Sequence, residues 1–185
     1  MATILDEELE TRTVEQDIAD ALALIERANA KLRPDELTRS EARSLIDAYG
    51  RIVKLGGFGV ASLSPGVGDA AAVARVSGTS MGKARDAVAT GTTIQASPDL
   101  EAAMRRGAVS LDQAAEIARA EDAAPGSART LVKVAREEAF HVLKDKARKI
   151  KLEAQQHRDL AARQHDARRD RPDAITSNIS VTGPH

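Results

Sequence analysis

The chain has no cysteine and no tryptophan, and its only aromatic residues are Tyr49, Phe58 and Phe140. Without cysteine there is neither a disulfide framework nor a thiolate zinc site. No stretch approaches the roughly 20 apolar residues that a membrane-spanning helix needs. The first ten residues are acidic (Asp6, Glu7, Glu8, Glu10), the opposite of a signal peptide's basic start and apolar run. These absences together point to a cytoplasmic chain. Few aromatics and few β-branched runs argue against a sheet.

What is present is alanine, at 35 of 185 positions, along with leucine, glutamate and arginine. This is helix-forming composition, and the expected fold class is all-α. Only 43 apolar side chains are larger than alanine. At roughly 1.5–3 kcal/mol per fully buried large side chain they support a modest core of thin helix contacts.

A net charge of −1 conceals an asymmetry. Residues 1–126 carry 14 basic and 20 acidic side chains, whereas residues 127–172 carry 13 basic and 7 acidic. An acidic body followed by a basic segment points to a nucleic-acid arm or to internal electrostatic docking.

Punctuation along the chain divides it. Residues 1–12 read as a flexible N-terminus. Residues 13–56 read as a helical hairpin, with capping boxes at Thr13 to Gln16 and Thr38 to Glu41. Its stripes are Val14, Ile18, Leu22, Ile25 and Leu32, then Leu45, Ile46, Tyr49, Ile52 and Val53, with Gly56 as the C-cap. Residues 57–68 read as a Gly-rich linker and hinge, because five glycines and Pro65 within residues 56–68 disfavour a helix. Residues 69–126 read as a cluster of short helices, capped by Asp69, Ser80 and Ser110, with Ser97-Pro98-Asp99 as a further helix start, and ended by Gly78, Gly91, Gly107 and Gly126.

From Ser127 no glycine or proline appears until Pro172, so residues 127–171 read as one long basic helix of about 60 Å. Its narrow apolar stripe runs from Val132 through Ala135, Ala139, Leu143, Ala147 and Ile150 to Ala154. Residues 172–185 have no usable period and read as a disordered tail.

The strongest local constellation is AVARVSGTSMGKARDAV, residues 72–88. A helix-turn-helix needs a small residue where its helices cross, a glycine in the turn and a polar cap on the second helix. Ala74, Gly78 and Ser80 meet those needs, with Val73, Val76, Ala84 and Ala87 or Val88 packing between the helices. Lys83 and Arg85 are left to reach phosphate or a guanine edge. Thr79 stands where such turns usually carry an apolar residue, and Gly82 costs about 1 kcal/mol inside the second helix. The bland alternative is an αα-corner used only for packing.

A second basic cluster, Lys144, Lys146, Arg148, Lys149 and Lys151, is able to neutralise several phosphates. Interleaved Glu137, Glu138, Asp145 and Glu153 equally fit a solvated helix face. Arg105 and Arg106 read as last-turn cations favoured by the helix dipole.

Enzyme signatures fall away. Gly78-Thr79-Ser80-Met81-Gly82 matches G-x-S-x-G, but that motif works only where a strand enters the turn, and AAAVARV reads as helix. The glycine stretch lacks the trailing Lys-Ser/Thr of a phosphate loop. His141, His157 and His165 show no metal-ligand spacing. Neither cofactor, metal nor small-molecule substrate is implied.

The run VARVSGTSMGKARDAV, the block LEAAMRRGAVSLDQAAEIARA, the segment ARTLVKVAREEAFHVLKDKARKIK and the trailing DLAARQHDARR together carry a family likeness. They resemble the N-terminal helical domain of unknown function in actinobacterial HNH-endonuclease-signature proteins, including the mycobacterial thirteen-E-twelve repeat family. The likeness covers roughly residues 10–169. It implies a helical module that in such proteins precedes a metal-dependent HNH nuclease. The nuclease histidines have no counterpart here, and DRPDAITSNISVTGPH departs from the family pattern, as expected of a truncated copy.

The resulting expectation is a non-catalytic DNA-binding or targeting module. Ser80, Lys83, Arg85, Lys144, Lys146, Arg148, Lys149 and Lys151 would serve as the DNA-binding residues. The alternative is a helical interaction or oligomerisation module without nucleic acid, a homodimer joined through the stripe of the long helix.

Overall fold

The structure, a computed structural model, describes residues 12–169. The flexible terminus expected over 1–12, Arg12 excepted, and the disordered tail over 172–185 lie outside the described residues. All regular structure among the described residues is helical. In chain order the helices are α1 (Val14–Lys31), α2 (Arg39–Val67), α3 (Ala70–Ser77), α4 (Met81–Ala96), α5 (Pro98–Arg105), α6 (Leu111–Ala123), α7 (Ala128–Glu137) and α8 (Phe140–Arg169). A 3-10 turn at Pro34–Glu36 separates α1 from α2. The chain divides into two compact units, Met1–Ala48 and Tyr49–His185.

In the first unit the local signals act as the sequence suggests. The Thr13 hydroxyl accepts from the Gln16 N–H while the Gln16 side chain accepts from the Thr13 N–H. Thr38 and Glu41 repeat the exchange at the start of α2. No residue of α1 is buried, and Val14, Ile18 and Leu22 remain more than half exposed.

The Gly-rich linker expected over 57–68 is not a linker. Helix α2 runs through Gly56, which does not cap it, and on to Val67, while the unit boundary falls earlier, between Ala48 and Tyr49. Tertiary packing overrides propensity here. A Cβ on Gly57 would lie 3.2 Å from the Leu111 Cβ, so its bareness lets α2 lie close to the start of α6. Pro65 has no N–H to offer the Ala61 carbonyl four residues back. That oxygen faces Gly91 of α4 instead, where an added Cβ would lie 2.1 Å away. Gly91 therefore does not end its helix as expected: α4 continues to Ala96, and the glycine serves a close crossing.

The core lies in the second unit. Leu100, Met104, Val109, Ile117, Leu131 and Leu143 are fully buried there, with Ala61 of α2 among them. Helix α6 sits at its centre, packed by α4, α7 and α8. Gln113, partner of Ser110 in the third capping box, also donates to the Ala135 carbonyl at 3.0 Å and so ties α6 to α7. Glu121 closes the next corner. Its carboxylate accepts from the Gly126 and Ala128 N–H groups at 2.7 and 2.6 Å, as a cap for α7.

The long helix expected over 127–171 is two helices. Glu138 is extended, with φ −120° and ψ 161°, and the chain turns there although neither glycine nor proline marks the place. The turn returns Leu143 and Ala147 to the core, both fully buried. Most of the stripe expected to face a second copy is thereby consumed within the chain: Val132, Ala135, Leu143 and Ala147 are buried, Ile150 and Ala154 are half-buried, and Ala139 at the turn is exposed. Beyond Ala154, residues 155–166 are exposed.

Candidate nucleic-acid interface

The turn motif forms as two helices around a tight corner. Asp69 caps α3 by accepting from the Ala72 N–H at 2.7 Å. Gly78 ends α3 in the left-handed region, φ 62°, which suits a residue without a side chain. The Ser80 hydroxyl then accepts from the Lys83 N–H at 3.3 Å and caps α4. Val73 of α3 and Ala84 and Ala87 of α4 are buried. Val76, expected beside them, is 81% exposed. The same geometry places Ser80 at a helix N-cap after a helix, with no strand among the described residues to build a nucleophile elbow.

Of the eight residues singled out in the sequence, the fold engages five and leaves three clear. Ser80 serves as a cap. Lys83 lies 3.7 Å from Asp112, at the start of α6. Lys151 lies 3.6 Å from Glu116, further along the same helix, and Lys149 lies 3.9 Å from Glu153 on α8. Lys144 stands 5.8 Å from the centroid of the Phe140 ring, a cation–π distance that leaves its charge exposed. Arg85, Lys146 and Arg148 are exposed with no ion-pair partner among the described residues.

The pairings on α6 are connected. Arg119 binds Asp86 of α4 at 2.7 Å and Glu116 of its own helix at 2.7 Å, and Glu116 also meets Lys151 of α8. Asp112, Glu116 and Arg119 fall at i, i+4 and i+7, so they form one outer stripe clamped by a helix on either side. The hydrogen bond to Asp86 leads the forces that hold the Arg119 guanidinium more firmly charged than usual, against a smaller opposing effect of burial. Among the described residues, Lys151–Glu116 is the only ion pair that joins the basic segment to the acidic body.

Sequence reasoning missed a second group. An open groove of about 530 Å³ between α5 and α7 is lined by Arg106, Arg129, Lys133 and Arg136, with Asp99 and Glu137 also on its walls. None of these four cations forms an ion pair among the described residues. The signal was available: positions 129, 133 and 136 follow i, i+4, i+7 opposite the buried Leu131, Val134 and Ala135.

No group of three or more His, Asp or Glu side chains among the described residues is placed to hold a metal ion. No described helix is long and apolar enough to cross a membrane. No protein family, curated protein or solved structure matches the chain.

Proposed function

We propose that the second unit is a non-catalytic DNA-binding or targeting module whose contacts are phosphate-dominated. The observation that carries this reading is the α5–α7 groove, where four cations line one concave surface without carboxylate partners. Unpaired guanidinium and ammonium groups gain most from phosphate, because binding displaces condensed counterions rather than an existing ion pair. Arg85 in the second turn-motif helix, and Lys144, Lys146 and Arg148 on α8, add exposed charge. Lys83, Lys149 and Lys151 contribute less, since each has a carboxylate within 4 Å. Kinship with the N-terminal domain of HNH-endonuclease-type proteins, and a cytoplasmic home, belong to the same proposal and rest on the sequence likeness alone.

The test is fluorescence anisotropy with a labelled random duplex at low salt. Replacing Arg129, Lys133 and Arg136 together by alanine is expected to weaken binding more than tenfold while leaving the melting curve unchanged, because all three are exposed. Unchanged affinity in that variant would remove the groove from the reading.

The alternative, a helical interaction or oligomerisation module, loses most of the stripe first assigned to it, since Val132, Ala135, Leu143 and Ala147 are buried in the chain's own core. Its support comes instead from the outer face of α2, where Leu63 is 70% exposed.

A further inference from the structure

The α5–α7 groove carries charges of both signs that do not neutralise each other. Arg106, Arg129, Lys133 and Arg136 line it together with Asp99 and Glu137. Neither carboxylate forms an ion pair with these cations or with any other described residue. All six side chains are exposed. A compact space of about 530 Å³ is roughly 8 Å across, and one DNA strand advancing about 3.4 Å per phosphate places about two phosphates over it. Four cations exceed that count. A chain of linked phosphoryl groups concentrates more negative charge in the same length. Asp99 and Glu137 oppose such a chain unless a cation lies between them and it. Magnesium is suited to that place, because it is usually held by one or two carboxylates plus phosphate oxygens and keeps several waters.

We infer that this groove binds a magnesium oligophosphate, the four cations meeting phosphoryl oxygens while Asp99 and Glu137 hold the hydrated magnesium ion. The groove's volume falls within the roughly 300–1,000 Å³ of small-ligand sites. No three carboxylates or histidines gather into a metal site of their own among the described residues, so the ion enters with the phosphate. What is recognised is the phosphate chain, whether inorganic or the tail of a nucleoside triphosphate. The uncharged lining is Ala102, Thr130 and Val132, which gives a base no aromatic ring to stack on. The inference rests on the reading of the groove as a phosphate site, and it makes the oligophosphate a competitor of DNA there.

The test is isothermal titration calorimetry of the full-length chain with sodium tripolyphosphate, at constant ionic strength, with and without magnesium. One site per chain is expected, with affinity about fivefold or more higher in magnesium. Adenosine and guanosine triphosphates are expected to bind within about threefold of each other, and adenosine not at all. Asp99→Asn combined with Glu137→Gln is expected to remove the magnesium enhancement and to tighten magnesium-free binding, because the repulsion is gone. A loss of structure would instead weaken both. Magnesium that weakens tripolyphosphate binding, as plain competition for phosphate would, overturns the inference. So does an enhancement that survives the double variant. A chain that binds duplex DNA but not tripolyphosphate overturns this inference and spares the DNA-binding reading; tripolyphosphate bound without DNA does the reverse.

Discussion

The Cα of Gly91 packs directly against the carbonyl of Ala61, so closely that a Cβ at position 91 would sit 2.1 Å from the oxygen. The contact exists because Pro65 leaves that carbonyl without its helical partner. Gly91→Ala is therefore expected to destabilise the second unit by about 3 kcal/mol, since the obstacle is backbone rather than a movable side chain. Gly50→Ala, on the same α2 helix but facing open space, is expected to stabilise by about 0.5–1 kcal/mol. Urea unfolding of the two variants against wild type reads both signs.

Glu121 sets a pH limit. Partial burial works to raise its carboxyl pKa, but hydrogen bonds from Gly126, Ala128 and Ser127 outweigh burial and hold it below the usual value. A depressed folded-state pKa means the native state favours the ionised carboxylate. Its contribution is complete above the unfolded value near pH 4–5 and disappears as pH falls through the lower folded value. Glu121→Gln is expected to cost about 1–2 kcal/mol at pH 7, typical of removing an N-terminal cap, and less at pH 2, as the carboxylate takes up its proton. Denaturant titrations at the two pH values check it; an equal cost at both would contradict the ionic account.

Leu143 separates buried from exposed apolar surface. It is fully buried on α8, so Leu143→Ala is expected to cost about 2–5 kcal/mol and Leu143→Asp to unfold the second unit. Had the stripe faced a second copy, the same aspartate would yield a folded monomer. Circular dichroism of Leu143→Asp decides between the two outcomes.

Asp112 restrains Lys83 at 3.7 Å across an exposed pair. Removing the carboxylate charge with Asp112→Asn is expected to raise duplex affinity about threefold at low salt, the scale of an exposed ion pair. Anisotropy measures it, and a fall in affinity would show that Asp112 itself takes part in binding.

Much of the fold was legible because caps are local chemistry. Thr13, Thr38, Asp69, Ser80, Ser110 and Pro98 each stand near a helix start where their side chains or ring geometry suit one. Glycines were ambiguous. Gly78 and Gly107 adopt the positive φ their positions suggested, whereas Gly57 and Gly91 stay helical to admit another helix, a role that depends on residues distant in sequence. The break at Glu138 had no breaker residue to announce it, since what turns the chain there is the burial of Leu143 and Ala147.

The candidate site was legible as composition and not as pairing. Counting cations found Lys83, Lys149 and Lys151, but only the folded chain shows Asp112, Glu116 and Glu153 beside them. The groove cations, spread over positions 106–136, come together through α5–α7 packing rather than through sequence proximity.

If unpaired cations on the second unit bind DNA phosphates, binding must depend on salt. The most direct measurement is the affinity of the full-length chain for a random duplex as salt is raised. Clear binding is expected at low salt, with log affinity falling linearly in log salt. The slope should lessen by about 2–3 when Arg129, Lys133 and Arg136 become alanine, at about 0.9 for each phosphate that is no longer neutralised. Absence of binding at low salt, or an affinity indifferent to salt, would contradict a phosphate-dominated DNA-binding role.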